Sequence, residues 1–171
     1  MTDLHEKAVS LLTERLGWLA SQIRENHVQA GQVASGKMRD SIAAFVEDQG
    51  QKVVGHVDAL SYVEALELGN APWQDIPTKQ AKDGHSYEYV PRWFADVIGK
   101  WMDDKGITED KGRDRYVIAW NIMHDGTMLY QQGGRSDIYS EITKSMAEQI
   151  ADEMAIEALT QIKTITLNLD K

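Results

Sequence analysis

The stretch Ser35–Gly69, SGKMRDSIAAFVEDQGQKVVGHVDALSYVEALELG, carries the strongest signals of fold in this chain. Ile42, Ala44 and Val46 recur with a period of two, which is typical of a half-buried strand. Val53, Gly55 and Val57 repeat that period after the polar run from Asp48 to Gln51. A polar run of about four residues between two such segments predicts a turn, so the stretch predicts an antiparallel hairpin over residues 42–58.

A short helix is predicted directly after the hairpin, over residues 61–68. Ser61 and Glu64 have the S-x-x-E spacing of a capping box, in which each side chain bonds a backbone N–H left free at the helix start. Gly69 stands where a helix commonly ends with a left-handed residue. The sequence therefore predicts a helix that is capped at both ends, with a positive φ at Gly69.

This order of features resembles the neck and tail-completion proteins of long-tailed bacteriophages. In that family the pattern is roughly T-G-x-L-x-x-S, a hairpin, and then Y-A-x-x-x-E-x-G-T. The matching residues of this chain are Gly36, Met38, Ser41, Tyr62, Glu67 and Gly69. Ser35 and Asn70 stand where the family usually has threonine. The segments Trp101–Gly106 and Asp125-Gly126-Thr127 also resemble the W-x-x-x-K-G and G-T segments of some members.

The resemblance implies a structural virion protein, one subunit of a ring at the head–tail junction or the tail end. The expected partners are further copies of the chain, in a ring with six-fold symmetry, and other phage neck and tail-tube proteins. DNA would pass through the ring without sequence-specific binding. The expected location is the virion, after assembly in the cytoplasm of the bacterial host. Neither a cofactor nor a metal is implied, and no catalytic activity is expected.

The resemblance also implies an α+β fold, and the length of 171 residues suits a single domain. Long amphipathic helices are predicted at both ends of the chain and would pack on a small antiparallel sheet. That sheet would consist of the hairpin 42–58 and a short strand near 127–130. Further helices are predicted at 92–105 and 114–124. A long irregular loop is predicted at 70–91, because prolines and glycines interrupt a polar stretch there.

Three residues are candidates for contacts with another subunit. In the last helix, apolar residues recur every four positions from Ile138 to Ile162, and this row turns by about 40° at each step. One surface cannot cover it, so Met154 and Ile162 near the outer end are expected to meet a neighbour. Trp73 either pins the 70–91 loop to its own domain or anchors the chain in another protein.

The helix 114–124 is apolar on nearly every side, and its cover could come from this chain or partly from a second subunit.

Composition excludes several classes of function. With 27 acidic against 18 basic residues, the net charge of −9 argues against a broad grip on phosphate backbones. The absence of cysteine excludes disulfides and thiol catalysis. No run of 18 apolar residues is present, and the N-terminus has no apolar core, so neither membrane insertion nor export is expected.

No convergent set of catalytic residues is visible, so we expect no enzyme. The five histidines are scattered, and His124, at a helix end, is expected to bond a free carbonyl. The acidic residues between Asp103 and Asp114 lack the spacing of a calcium loop. Gly133-Gly134-Arg135-Ser136 lacks the lysine and spacing of a phosphate loop and predicts an ordinary turn. The alternative function is an acidic protein-binding module, such as an inhibitor or DNA mimic, which the negative charge permits.

Overall fold

The fold is α+β, as predicted from the sequence. This computed structural model describes residues 2–50, 52–110 and 113–169, with side chains between residues 4 and 160 of those ranges. In chain order its elements are α1 (Thr2–Gln29), α2 (Lys37–Ser41), β1 (Ala43–Asp48), β2 (Val53–Asp58), α3 (Ala65–Leu68), β3 (Thr78–Gln80), β4 (Ser86–Glu88), α4 (Arg92–Asp104), α5 (Arg115–Asp125), α6 (Met128–Gln131) and α7 (Ser140–Leu169).

The chain divides into two compact units, whereas the sequence predicts a single domain. The first unit contains α1, the β1–β2 hairpin and α7, and it comprises Met1–Gln32, Met38–Ser61 and Ser136–Lys171. The second unit contains the elements from α3 to α6, and it comprises Val33–Lys37 and Tyr62–Arg135.

The hairpin of the first unit confirms the prediction for residues 42–58. β1 and β2 pair antiparallel from Ala43 opposite Asp58 to Asp48 opposite Val53. α1 packs on both strands. Leu19 and Ile23, from the apolar stripe of α1, are buried, at 2% and 4% exposure. The predicted period of two therefore has a physical cause, because alternate residues of β1 lie towards α1 and towards solvent.

Gly55 in β2 allows α1 to approach the hairpin closely. A Cβ atom at this position would lie 2.3 Å from Cδ1 of Leu16 and 3.5 Å from Cδ2 of Leu12. A glycine inside a strand weakens the strand by itself and often marks such an approach. Here it leaves the space that Leu16 of α1 occupies.

α7 packs antiparallel against α1. Asn26 near the end of α1 donates to the carbonyl of Ile138, just before α7, over 3.1 Å. Towards the other end, the Arg15 guanidinium donates to Glu153 over 2.8 Å and the Lys7 ammonium to Glu157 over 2.5 Å. The two helices thus run in opposite directions, and charged pairs join them towards the outer end of α7.

The apolar row of α7 stays at least half-buried along its described part. Ile138 and Met146 are 0% and 4% exposed, and Ile142, Ile150, Met154 and Ala158 are half-buried. The apolar side chains most exposed at the outer end lie off this row, at Ile156 and Leu159, which are 65% and 58% exposed. The side chain of Ile162 lies outside the described residues.

The second unit is built around the packing of α4 against α5, both of which the sequence predicts. Ile98 and Met102 of α4 meet Ala119 of α5 at the centre of a buried cluster. The half-buried residues packed against this centre are Val90, Phe94, Ile107, Ile118 and Ile122.

Residues 128–130 are helical and Thr127 directly precedes them, so the predicted strand near 127–130 is wrong. Thr127 caps α6 at its N-terminus, where its hydroxyl accepts a hydrogen bond from the amide of Tyr130 over 3.4 Å. Threonine is favoured at this position because its oxygen satisfies an N–H that has no partner within the helix.

The segment 70–91, where the sequence predicts an irregular loop, contains a second two-stranded sheet between residues 78 and 88. β3 pairs antiparallel with β4, from Thr78 opposite Glu88 to Gln80 opposite Ser86. The turn between them contains Gly84, at φ +86°, and the Asp83 carboxylate accepts the amide of His85 over 3.1 Å. Asp and Gly are common turn residues, because an Asp side chain can accept a nearby backbone N–H and Gly adopts a positive φ without strain.

The helix predicted at 61–68 is shorter than expected, since α3 begins only at Ala65. The amides of Ala65 and Leu66 bond the carbonyls three residues earlier, so the preceding segment forms tight turns. Glu64 has helical backbone angles and makes no side-chain capping bond, which contradicts the predicted capping box. The positive φ predicted for Gly69 is confirmed, at +69° with ψ of −170°.

Candidate functional site

Two residues of the family-like pattern, Met38 and Ser41, fix the chain around α2. Met38 is 5% exposed. The Ser41 hydroxyl donates to the Met38 carbonyl over 2.7 Å and accepts the amide of Leu60 over 3.2 Å. The segments before β1 and after β2 are thereby joined at the open end of the hairpin.

Three further residues of the pattern lie at α3. Glu67 is 2% exposed, and its backbone carbonyl accepts the amide of Arg135 over 2.8 Å. A Cβ at Gly69 would lie 2.5 Å from both Thr127 Oγ1 and the Tyr130 amide nitrogen, so α6 packs directly against this glycine. Tyr62 is 51% exposed, and its carbonyl accepts the amide of Ala65. Gly36, the remaining residue of the pattern, has φ of +79°. The roles seen for this set are structural.

Trp73 lies against its own unit, as the interpretation of a loop-pinning residue predicts. Its backbone amide donates to the Met123 carbonyl over 2.9 Å. Its ring stacks on Trp93 at a centroid distance of 5.8 Å and contacts Phe94 at 4.9 Å. The interpretation of Trp73 as an anchor into another protein stays a prediction, since the side chain is only half-buried.

α4 has apolar residues on two sides. The sequence contains them as three neighbouring pairs, and in each pair the second residue is turned inward: Phe94 is half-buried, and Ile98 and Met102 are buried. The first residues are Trp93, Val97 and Trp101, which are 61%, 55% and 39% exposed. We call these three residues the α4 row. Sequence reasoning missed the row as a surface, although the paired spacing is its signal.

α5 also exposes apolar side chains, which we call the α5 face. Its members Tyr116, Val117 and Trp120 are 46%, 46% and 38% exposed. Only Ala119 and Met123 of this helix are buried, both at 0% exposure. The sequence left open whether this chain or a second subunit covers the helix, and within its own unit only one side is covered.

His124 connects the end of α5 to β4. Its Nε2 lies 2.7 Å from the Glu88 carboxylate, and its Nδ1 lies 2.9 Å from the Trp120 carbonyl, the kind of contact predicted for a histidine at a helix end. A carbonyl and a carboxylate are both acceptors, so this site favours the charged imidazolium, in which both ring nitrogens donate. The hydrogen bond to Glu88, followed by that to Trp120, raises the pKa of His124 above its ordinary value of 6.5.

The acidic residues around the start of α5 have structural roles. Asp114 caps the helix by accepting the amide of Tyr116 over 2.7 Å. Glu109 accepts a hydrogen bond from Arg115, which raises the pKa of that guanidinium. Among the described residues, no group of three or more histidine or acidic side chains is arranged to hold a metal ion.

Met154, a candidate interface residue from the sequence, is half-buried, and its part in a subunit contact stays a prediction. The same holds for Ile162, whose side chain is not among those described. None of the helices in the described part of the chain combines the length and hydropathy that a membrane span requires. Comparison of the chain with protein-family models, with curated proteins and with solved structures gives no match.

Proposed function

We propose that this chain is a structural subunit of a long-tailed phage or prophage virion, forming a ring at the head–tail junction or the tail end. The resemblance over Ser35–Gly69 gives this proposal its identity. The α+β fold, with its hairpin under a long N-terminal helix, is compatible with it. Such a protein acts by geometry, because a closed ring presents one surface to the head connector and another to the tail tube.

The observation that carries the proposal is the α5 face. Helices that are apolar on most sides are normally covered on those sides. Here Tyr116, Val117 and Trp120 remain exposed on one helix, and contiguous apolar surface of this kind marks protein contacts. In a ring, each subunit uses two different surfaces, so the α5 face of one subunit would meet another surface of the next.

The experiment that tests this function is removal of the gene from a phage genome that encodes the chain. Electron micrographs should then show filled heads and tails that are not joined, or tails of abnormal length. Supplying the wild-type chain should restore complete particles. Complete, infectious particles in the absence of the chain would overturn the proposal.

Point variants sharpen the same experiment. Val117→Asp places a charge in the α5 face and should fail to restore particles, because a buried unpaired charge is costly. Gln149→Glu adds the same charge at an exposed polar position of α7 and should restore them. Equal restoration by both variants would remove the α5 face from the proposal.

The alternative is an acidic module that binds a basic protein surface, which the net charge of −9 permits. Such a module would be a small monomer or dimer. It would bind its basic partner tightly in low salt and weakly in high salt, because screening reduces the attraction between charged surfaces.

A further inference from the structure

We propose that two copies of this chain associate through α4, with the two helices antiparallel and related by a two-fold axis. This contact goes beyond the proposed ring. A ring requires contacts between unlike surfaces, whereas the α4 contact joins the same surface of two subunits. It would exist whether or not the chain also forms rings.

The first observation is that the α4 row reads Trp93, Val97, Trp101, which is the same in both directions. The three side chains are 61%, 55% and 39% exposed and stand four residues apart, so they follow one another along the helix. In an antiparallel pair centred on Val97, each Trp93 would meet Trp101 of the second copy, and the two Val97 side chains would meet each other. Trp73, stacked on Trp93, extends this apolar surface.

The second observation is a row of charges beside the apolar one. Arg92, Asp96, Lys100 and Asp104 also stand four residues apart, alternate in sign and are all exposed. A two-fold axis perpendicular to both helices keeps this row on the same side of the contact and reverses its direction. Arg92 would then lie opposite Asp104 of the second copy, and Asp96 opposite Lys100.

The apolar row and the charged row have nearly the same centre, which favours a second copy of the chain as the partner. The apolar row has its centre at position 97 and the charged row at position 98, so one two-fold axis serves both to within a single helical residue. A parallel pair has its two-fold axis along the helices and would place the two charged rows on opposite flanks of the contact, where they could not pair with each other. A partner with an unrelated surface would have no reason to match both symmetries.

The size of the surface predicts a weak pair. Aromatic side chains contribute about 150–250 Å² each when fully buried, so the partly exposed row offers roughly 300 Å² from each copy. Stable interfaces bury about 800 Å² on each partner. The pair should therefore form and dissociate with protein concentration.

A simpler explanation of the charges alone is pairing along one helix, since Arg92 lies 3.8 Å from Asp96 in the single chain.

Cysteine cross-linking tests the geometry, and the chain contains no cysteine of its own. Val97→Cys at the proposed axis should form a disulfide-linked dimer under mild oxidation. Val117→Cys, on the α5 face and similarly exposed, should not, because a contact between unlike surfaces does not bring two copies of one residue together. No dimer from Val97→Cys, or equal amounts from both variants, would overturn the proposal.

A charge exchange tests whether the occupant is a second copy. Asp96→Lys places like charges at both symmetry-related positions and should raise the dissociation constant of the pair by about tenfold or more. The double variant Asp96→Lys with Lys100→Asp restores opposite charges across the axis and should restore pairing, as measured by sedimentation equilibrium. Failure of this rescue in a double variant with wild-type circular dichroism would contradict the two-fold contact, as would wild-type protein that stays monomeric at every concentration.

One double variant distinguishes the α4 pair from the proposed ring. In Val97→Cys with Val117→Asp, the ring is expected to be lost while the cross-link persists. A cross-link that disappears with the α5 face would show that the α4 contact is not independent, which would overturn the proposal. A ring that is missing from the wild-type protein, while Val97→Cys still cross-links, would count only against the proposed function.

Discussion

Asn70 and Thr127, which are 57 residues apart, hold each other by two hydrogen bonds. The Thr127 amide donates to the Asn70 carbonyl over 2.9 Å, and the Asn70 amide donates to the Thr127 hydroxyl over 2.9 Å. The same hydroxyl caps α6 through the amide of Tyr130. One threonine side chain therefore fixes both the chain after α3 and the start of α6.

We expect Thr127→Val to lower the free energy of unfolding by about 1 kcal/mol, because two backbone amides lose their acceptor while the shape of the side chain is kept. Thr127→Ser retains the hydroxyl and should cost less. Urea unfolding of both variants measures the difference. Equal midpoints for valine and serine would show that the hydroxyl contributes nothing.

Gly69→Ala should be strongly destabilising, by about 2–4 kcal/mol. Its φ of +69° and ψ of −170° lie in a region that is essentially restricted to glycine, and a Cβ would also lie 2.5 Å from the Tyr130 amide nitrogen. Gly106→Ala is the matched control, because Gly106 has φ of +66° but no atom within 4 Å of a built Cβ. Thermal unfolding of the two variants measures the difference, and a Gly69 variant no worse than the control would rule out the clash with α6.

Gly55→Val should destabilise the first unit by about 1–3 kcal/mol through overpacking against Leu16. Gly17 lies in α1, the helix that contains Leu16, and a Cβ built there has open space around it. Gly17→Ala should therefore stabilise the first unit by about 0.5–1 kcal/mol, because glycine is a poor helix former. Denaturant unfolding checks both signs. A valine at position 55 that leaves the midpoint unchanged would mean that α1 does not approach the hairpin closely in solution.

The His124–Glu88 pair should make stability depend on pH. The pKa of His124 is raised in the folded chain, so its contribution is fully present below the ordinary value of 6.5 and is lost as the pH rises through the folded pKa. An NMR titration of His124 should show this pKa above 6.5, and Glu88→Gln should lower it. Glu148→Gln, which removes an equal charge on α7, should leave it unchanged. An unaltered His124 pKa in Glu88→Gln would contradict the pairing.

The sequence predicts those elements whose signals are local. The hairpin follows from its period of two, and α4, at Arg92–Asp104, lies within one residue of its predicted bounds of 92–105. The strand predicted near 127–130 is wrong because Thr127 can start either a strand or a helix, and its capping bond depends on the folded chain. β3 and β4 have only three residues each, too few for periodicity to be recognised.

The candidate surfaces were harder to predict, because they depend on which side of a helix is covered. The paired apolar residues of α4 identify two apolar sides, but only packing shows that Ile98 and Met102 face inward and Trp93 and Val97 outward. The apolar row of α7 turns gradually around the helix, so apolar contacts alone could not keep the whole row against α1. Glu153 and Glu157 also face α1, paired with Arg15 and Lys7. Pairing of this kind depends on three-dimensional position, so the spacing of apolar residues does not reveal it.

The most direct measurement of ring formation is the mass and shape of the purified chain in solution, by sedimentation velocity together with negative-stain electron microscopy. We expect closed rings of one defined mass, larger than a pair, which form with rising concentration and are lost in Val117→Asp but kept in Gln149→Glu. Wild-type protein that remains a monomer or a pair at every concentration, with no ring in the micrographs, would contradict a ring-forming subunit.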